Sequence, residues 1–278
     1  MRPKDGPWFS PLSGIGAGQP KTKLQPKPAS RRRFIDMLTC SAASTGLVRL
    51  LGDLCAPPLC PLCRAARARG QAELCPDCQA ALPQLPERRC HGCGGANTGH
   101  LALCPECLRL GARPWDFAVT AFPFHGLVRD AIHCYKYRRR TSLAPFLARC
   151  MTEAWTTQAE DRRPDAVVPV PLHWFRAWQR GYNQAAILSR LIARKLQIKN
   201  ITPLRRIRYT RQQARMDLAQ RQKNIRNAFA VKNHDAIVNR HLLLVDDVFT
   251  TGATLAAATA ALLEAGAASV DVLTIARD

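Results

Sequence analysis

The stretch that decides the fold is residues 242–254, which read LLLVDDVFTTGAT. Its leading apolar run predicts a strand that is buried on both faces, with Asp246 and Asp247 at its carboxyl end. The turn at 250–254 then enters the alanine-rich stretch TLAAATAALLEAG, which predicts a helix that stops at Gly266. Because ligands bind at this edge of a parallel sheet, we expect a binding site where the strand meets the helix.

The turn before this helix is suited to a phosphate group. Backbone N–H groups at a helix N-terminus lack intrahelical partners and lie at the positive end of the helix dipole. Gly252 and its neighbours can present such groups, and the threonine hydroxyls add further donors. An Asp-Asp pair alone is often only a helix cap. Next to a phosphate cradle, however, two carboxylates that can accept from hydroxyls predict a sugar phosphate ligand.

Length and composition indicate an extension and two folded modules. A chain of 278 residues is long enough for one large domain or two ordinary ones. We expect a disordered or partly helical basic extension over 1–54, a double zinc ribbon over 55–113 and an α/β domain over 114–278. The extension is rich in Pro, Gly, Lys and Ser and has few residues that could form a core.

From Trp115 onward, strand-like runs alternate with helix-like stretches. The runs DAVVPVPL, ITPL, AFAV, HLLLV and SVDVLTIA predict short strands. In RGYNQAAILSRLIARKL, apolar residues recur at the spacing of one helical face. This alternation predicts an α/β fold with a mostly parallel, doubly wound sheet.

Eight of the twelve cysteines form four C-x-x-C pairs. They are Cys60, Cys63, Cys75, Cys78, Cys90, Cys93, Cys104 and Cys107. Four thiolates make a tetrahedral zinc site, and regular gaps of about a dozen residues suit ribbons in which each short hairpin contributes one pair. We expect two structural Zn²⁺ sites with sequential pairing, although a cross-brace is also compatible with the sequence. A thioredoxin-type redox couple would need a helix N-terminus after a strand, a setting we predict for none of the pairs.

The central motif and its neighbours resemble a known family. LLLVDDVFTTGAT resembles the phosphoribosyl-diphosphate (PRPP) binding motif of type I phosphoribosyltransferases. VPVPLHWFRAWQRGYNQA precedes it, RQQARMDLAQRQKNIRNAF lies between, and the cysteine-rich module stands in front. This order resembles the ComF/GntX-like family of double-zinc-ribbon phosphoribosyltransferase-fold proteins, from about Cys55 to the end of the chain. The resemblance implies a type I phosphoribosyltransferase-like sheet.

The resemblance also implies roles for individual residues. Asp246 and Asp247 would approach the ribose hydroxyls of PRPP, with Mg²⁺ bridging its diphosphate and ribose oxygens. The 5′-phosphate would be bound by Thr250, Thr251, Gly252, Ala253 and Thr254. The diphosphate would be faced by Pro171, Leu172 and His173. Candidates for the acceptor or diphosphate side are Arg180, Asn183, Gln184, Gln213, Arg221 and Asn224, although from the residues alone Asn183 could instead be a helix cap.

Two functions are compatible with these features. The family resemblance implies transfer of a ribosyl phosphate from PRPP to an unknown acceptor, in a process linked to DNA uptake in natural competence. The alternative is a non-catalytic factor that binds single-stranded DNA or competence and recombination proteins and uses the PRPP pocket as a ligand sensor. A net charge of +21 supports this alternative. Stacking platforms for bases would be Tyr135, Tyr137, Tyr209 and Phe229.

The sequence also bears on location. No apolar stretch reaches the eighteen or so residues that a membrane span needs, so we expect no membrane partner. The stretch from Ser30 resembles a twin-arginine export signal, but Asp36 and Arg49 interrupt its apolar part. Paired thiolates that bind metal are typical of a reducing compartment. We therefore expect a cytoplasmic protein.

Overall fold

The computed structural model describes residues 58–67, 73–159, 161–172, 180–207 and 228–278. The extension predicted over 1–54 lies outside these ranges, as do the predicted site residues His173, Gln213, Arg221 and Asn224. Within the described part, residues of the cysteine-rich module and of the α/β domain belong to one compact unit.

The α/β domain is built on one parallel sheet. Its strands are β1 (Phe117–Pro123), β2 (Ala166–Pro169), β3 (Lys199–Asn200), β6 (His241–Phe249) and β7 (Ser269–Arg277), in the spatial order β1-β7-β6-β2-β3. A separate antiparallel pair consists of β4 (Leu204–Arg206) and β5 (Phe229–Val231). Every pairing in the main sheet is parallel. The predicted mostly parallel sheet is confirmed.

The helices in the described residues differ in length between the two modules. They are α1 (Pro76–Ala81), α2 (Pro105–Leu110), α3 (Gly126–Tyr137), α4 (Ala144–Gln158), α5 (Gln184–Leu196) and α6 (Ala253–Glu264). Two single 3₁₀ turns lie at Thr141–Leu143 and His234–Ala236. Within the described ranges, none of these helices combines the length and apolarity needed to cross a bilayer.

Different layers cover the two faces of the sheet. Successive side chains of a strand point to opposite faces. Leu243 and Val245 of β6 pack in one apolar cluster with α3, α4 and α5, whereas Leu242 and Leu244 pack in a second cluster with α6. Three cysteines of the first two pairs, Cys60, Cys75 and Cys78, belong to the first cluster, and all four cysteines of the last two pairs belong to the second. The cysteine-rich module therefore reaches both faces of the sheet.

β6 is longer than the sequence predicts. We expected it to end before Asp246, but it runs to Phe249 because β7 pairs with it as far as Phe249 opposite Arg277. On its other side β2 pairs with it only as far as Val245. The two acids therefore lie among the last residues of β6. The side of β6 that faces β2 is unpaired at these two residues.

A buried carboxylate stabilises the opposite end of the sheet. Asp271 of β7 is fully buried and accepts a hydrogen bond of 2.6 Å from Arg162 Nη1. Its other oxygen lies 2.7 Å from His241 Nε2, at the start of β6. This hydrogen bond raises the pKa of His241, although burial and the Arg162 charge oppose the increase.

The pKa of His241 predicts a pH-dependent contribution to stability. Because this pKa is higher in the folded protein than in the unfolded chain, the stabilisation is complete below the unfolded value of about 6.5. It is lost as the pH rises through the folded value. We expect the difference in unfolding free energy between the wild type and His241→Gln to shrink from about pH 5.5 to about pH 9, measured by urea unfolding. A difference that stays constant or grows over this range would contradict the assignment.

Candidate functional site

The carboxyl ends of β6 and β2 form a crevice. From β6 the chain crosses through α6 to β7 on one side, and from β2 it crosses through α5 to β3 on the other. Adjacent strands whose crossovers leave in opposite directions open a crevice at which α/β sheets bind ligands. Asp246 and Asp247 lie on one side of it, and Pro171 and Leu172 follow β2 on the other. The structure thus brings these four predicted site residues to one end of the sheet.

The two acids have different environments. Asp247 Oδ1 lies 2.8 Å from Lys136 Nζ, and both side chains are largely buried, at 14% and 16% exposed. The backbone N–H of Asp247 donates to Asp246 Oδ1 at 2.8 Å. Burial and the neighbouring Asp247 charge raise the pKa of Asp246 to about 7. The site therefore pairs a carboxyl group that titrates near neutral pH with one that is ion-paired to a lysine.

The predicted phosphate loop adopts a helix-start geometry. Gly252 is the N-cap residue of α6, with φ of 78°, a left-handed conformation that favours glycine. Its carbonyl accepts from Ala256 N–H at 2.8 Å. A Cβ at Gly252 would lie 2.8 Å from Phe249 Cζ, so the position is closed to larger residues on steric grounds as well. The loop at 250–254 therefore lies at the N-terminus of a twelve-residue helix, as the sequence predicts.

Polar residues at the start of α5 join this helix to the loop after β2. Asn183 caps α5 by accepting from Ala185 N–H at 3.0 Å, and its Nδ2 donates to Val170 O at 3.1 Å. Gln184 is buried, and its Oε1 accepts from Arg180 Nη1 at 3.3 Å. Asn183 is thus a cap that also fixes the loop after β2. Direct ligand contact by these three residues stays a prediction.

Two of the predicted base-stacking platforms are wrong. Tyr135 is fully buried and donates from its hydroxyl to Gln184 O at 3.1 Å, and Phe229 is 6% exposed in the core under α6. Their rings belong to the apolar clusters of the core and are closed to a nucleic-acid base. The charged residues beside them in the sequence had suggested exposed rings. Tyr137 is 64% exposed and remains a candidate, while Tyr209 lies outside the described residues.

Two site residues escaped the sequence interpretation. Lys136 lies outside the motifs from which the site is predicted, yet its Nζ lies 2.8 Å from Asp247 Oδ1. Arg113 was placed at the end of the cysteine-rich module, yet its Nη1 donates to Thr251 O in the phosphate loop at 3.2 Å. Both come from elements distant in sequence from the loop. Only the KY dipeptide ahead of the arginine run hinted at Lys136, and no local signal marked Arg113.

The cysteines form two groups of four in sequential order. The sulfur atoms of each group lie within 4.8 Å of one another: Cys60, Cys63, Cys75 and Cys78 in the first, and Cys90, Cys93, Cys104 and Cys107 in the second. Four sulfurs at about 2.3 Å from a tetrahedral Zn²⁺ would be separated by just under 4 Å. Sulfur separations of 3.5 Å for Cys63–Cys75 and 3.9 Å for Cys93–Cys104 fit that geometry. Each group can therefore hold one zinc ion.

The local structure of the pairs differs from expectation. The first pair of each group lies in a tight antiparallel hairpin, closed by the bridges Leu59–Ala66 and Arg89–Ala96. The second pair instead lies at the start of a short helix, with Cys75 and Cys104 as N-cap residues followed by proline. Proline is favoured at the first helical position, which explains why CPDC and CPEC begin helices. The expectation that a short hairpin contributes every pair was wrong for these two pairs.

Thiol acidity in both groups favours a cation. Burial would raise the pKa of Cys60, but backbone hydrogen bonds from Cys75 and Cys63 outweigh it and lower the pKa to about 6. In the second group the hydrogen bond from Cys107 lowers the pKa of Cys90, while the same bond raises the pKa of Cys107. Neighbouring thiols thus resist joint ionisation unless a cation neutralises them, which is what Zn²⁺ does.

Comparison with known proteins finds sequence relatives that match most of this chain. No family model matches the chain. The chain is 33% identical over 230 residues to the DNA utilization protein YhgH of Escherichia coli K12, covering 81% of this chain and 99% of that protein. It is 31% identical over 194 residues to competence protein F of Haemophilus influenzae, covering 68% and 84%. Competence protein ComFC of Bacillus subtilis is 27% identical over 194 residues, covering 68% and 77%.

Among solved structures the likeness is partial. Glutamine PRPP amidotransferase from B. subtilis, complexed with ADP and GMP, matches 48% of this chain at 21% identity with a TM-score of 0.33. This chain spans 26% of that protein's length. UMP synthase of Leishmania donovani matches 50% of the chain and 23% of its own length, at 18% identity and a TM-score of 0.29. The sheet order described above, rather than these matches, defines the fold of this chain.

The two cysteine groups predict the metal content of the purified protein. We expect two zinc ions per chain by inductively coupled plasma mass spectrometry, because each group supplies a closed set of four sulfurs. Cys63→Ser should lower the content to about one ion, since the second group lies on the other face of the sheet. Cys134→Ser, outside both groups, is the matched control and should keep two. Equal zinc content in Cys63→Ser and Cys134→Ser would refute the assignment of Cys63 as a ligand.

Proposed function

Because this chain belongs to the ComF/GntX-like family, we propose that it binds PRPP in the crevice between β6 and β2 and transfers its ribosyl phosphate to an acceptor. Its α/β domain is type I phosphoribosyltransferase-like, with a mostly parallel sheet. The observation that carries the proposal is the placement of the acid pair and the helix-start loop at one topological switch point. A sugar phosphate offers hydroxyls to the acid pair and a phosphate to the helix-start loop.

In the proposed complex the residues of the crevice divide the ligand between them. Asp246 and Asp247 accept hydrogen bonds from the ribose hydroxyls, while 250–254 holds the 5′-phosphate at the start of α6. The ribose hydroxyls compete with Lys136 for Asp247, so Lys136 keeps that carboxylate paired until the ligand arrives. Adjacent carboxylates with a phosphate ligand also fit Mg²⁺, which binds through one or two carboxylates plus substrate oxygens and supplies charge neutralisation at the diphosphate.

The chemistry asks little of acid–base groups. The bond from the anomeric carbon to diphosphate breaks through an oxocarbenium-like state, as in glycoside hydrolysis, and the acceptor's nucleophile adds to that carbon. Diphosphate leaves with the bonding electron pair. The protein's contribution is to orient the ribose through the two acids and to anchor its phosphate, so that leaving group and acceptor lie on opposite sides of the carbon.

The process is inferred from the relatives. Proteins named for competence and DNA utilization match most of this chain, so we place its reaction or its ligand sensing in the handling of incoming DNA. Two groups of four thiols that bind zinc persist in a reducing compartment, which favours the cytoplasm.

A second candidate function, binding of single-stranded nucleic acid, is favoured by an exposed ring beside the site. Tyr137 follows Lys136 on α3 and is 64% exposed. Arg180 Cζ lies 5.0 Å from its ring centroid, and the His133 ring lies 5.6 Å from it. Aromatic rings flanked by guanidinium groups stack on bases of single strands. A protein that only senses PRPP could use this surface without catalysing transfer.

PRPP affinity should depend on Asp246 and on pH. We expect Asp246→Asn to weaken PRPP binding about tenfold or more, since hydrogen bonds to a charged group contribute roughly 1.5–3 kcal/mol. Because the carboxylate is the accepting form and the pKa of Asp246 is about 7, the ratio of wild-type to Asp246→Asn affinity should rise as the pH increases through 7. Isothermal titration calorimetry with PRPP and Mg²⁺ measures both effects.

The control is Asp235→Asn, an exposed acid in the turn before β6, at the other end of the sheet. It should bind as the wild type does. Wild-type protein that does not bind PRPP, or Asp246→Asn that binds equally well, would refute the proposed ligand.

Incubation with PRPP and a panel of nucleobases then separates the transferase from the PRPP sensor. Sustained diphosphate release supports transfer, whereas binding without release supports the sensor.

Binding of single-stranded DNA should depend on the ring of Tyr137. We expect Tyr137→Ala to weaken binding of an oligothymidine strand by about 1–3 kcal/mol, the usual contribution of one stacked base. Tyr137→Phe keeps the ring and should bind within about twofold of the wild type. Fluorescence anisotropy at several salt concentrations is the measurement. Equal affinities for all three proteins would exclude Tyr137 as a stacking platform.

A further inference from the structure

Arg113 lies where the second cysteine group meets the phosphate loop. Its Nη1 donates to the backbone carbonyl of Thr251 at 3.2 Å. Its Nη2 lies 3.9 Å from Cys107 Sγ, within reach of a charge-assisted contact to a thiolate. One planar guanidinium therefore contacts both the loop and a sulfur of the metal group. A guanidinium forms two such contacts in a fixed geometry, which a flexible lysine ammonium does not.

Aromatic rings hold this guanidinium in place. Arg113 Cζ lies 5.5 Å from the Trp115 ring and 5.8 Å from the Phe249 ring. The two rings meet edge to face, with centroids 5.8 Å apart. Trp115 is 4% exposed, and its Nε1 donates to Gly92 O at 3.0 Å, inside the CHGC knuckle of the second group. The surface below the loop is therefore attached to the second cysteine group at two points, Gly92 O and Cys107 Sγ.

The loop rests directly on this surface. A Cβ built on Gly252 would lie 2.8 Å from Phe249, 3.1 Å from Trp115 and 3.3 Å from Arg113 Nη1. Contacts this close leave no space between the loop backbone and the three side chains. A shift of Arg113 or Trp115 therefore displaces 250–254, because closely packed interiors transmit strain.

The second cysteine group is also joined to the sheet itself. Ala118 N–H of β1 donates to His91 O at 2.8 Å, and Thr120 Oγ1 donates to Cys93 O at 3.1 Å. Arg277, at the end of β7, pairs with Glu106 in α2. The second group therefore contacts both β1 and the carboxyl end of β7, the strand that pairs with β6.

The first group is attached differently. It packs with α3, α4 and α5 on the opposite face, and Glu73, two residues before Cys75, accepts from Arg149 Nε at 2.6 Å. Among the hydrogen bonds of the described residues, none joins this group to 250–254. The chain therefore contains an internal control: two cysteine groups of the same composition, of which one contacts the phosphate loop.

We propose that Arg113 is a positioning residue that couples metal occupancy of the second cysteine group to the geometry of the phosphate loop. With zinc bound, the four sulfurs and the knuckle carbonyl of Gly92 are fixed, and Arg113 and Trp115 hold the loop in its helix-start conformation. Without zinc, Arg113 and Trp115 are no longer fixed, and the loop loses this support. Coupling is reciprocal, so a ligand in the loop strengthens metal binding at the second group and not at the first. The proposal has two arms. The ligand arm, the effect of PRPP on metal binding, rests on the proposed PRPP function. The loop arm, the effect of Arg113 on the loop, does not.

The loop arm is tested by hydrogen–deuterium exchange of the full chain. Arg113→Ala should increase exchange of the amides at 256–258, which close the first turn of α6 on the loop, by about ten- to a hundredfold, the effect of losing the charge-assisted hydrogen bond to Thr251 O that anchors this turn. Arg149→Ala, which removes the arginine beside the first group, should leave these amides at the wild-type rate. Arg113→Lys keeps the charge and most of the stem, and should restore protection only in part. If Arg113→Ala loses zinc, Arg113→Lys carries the comparison.

The ligand arm is tested by zinc release to a chromogenic chelator. In the wild type, saturating PRPP and Mg²⁺ should slow the release of one of the two ions, and in Arg113→Ala this protection should disappear. The proposal would be overturned if Arg113→Ala left the hydrogen exchange of the amides at 256–258 unchanged, or if PRPP slowed the release of both zinc ions equally. Absence of PRPP binding in the wild type would refute the proposed ligand, whereas the exchange result would still decide the coupling.

Discussion

The structure depends on an unequal pairing of one strand. β6 is paired with β7 to its last residue, Phe249, but with β2 only as far as Val245. The single-sided pairing holds Asp246 and Asp247 in extended backbone while leaving their β2-side edge open. Because the crossovers from β6 and β2 leave in opposite directions, no strand among the described residues closes this edge. The acid pair, the helix-start loop and the loop after β2 all take their positions from this one feature.

The cysteine-rich module is part of the same compact unit rather than a separate appendage. Its two groups contribute to opposite apolar layers of the sheet, so zinc binding and packing of the α/β domain are linked energetically. This arrangement gives a physical reason for joining the two modules in one chain. Metal that orders the second group also orders Trp115 and Arg113, which lie directly under the phosphate loop. A ribbon tethered by a flexible linker would not have that effect.

Local sequence patterns predict most of the fold and part of the site. The apolar run at 242–245, the helical spacing after Asn183 and the glycine at 252 each express a local constraint, and the parallel sheet, α5 and the loop follow from them. The grouping of the cysteines follows from their spacing. The contacts of Lys136 and Arg113 join segments more than a hundred residues apart, and no local pattern in either segment specifies them. The extension of β6 beyond Val245 depends on its partner strand, which the run itself does not specify.

The most direct test of the account is a backbone amide NMR titration of the zinc-loaded chain with PRPP and Mg²⁺. The account predicts that the largest shifts fall on 246–254, where the end of β6 enters α6, with smaller shifts at Pro171's neighbours after β2 and at Lys136. Inorganic phosphate alone should shift only 250–254. Shifts that centre on another surface, or that leave 246–254 unchanged at saturating PRPP, would contradict the assignment of this crevice as the site.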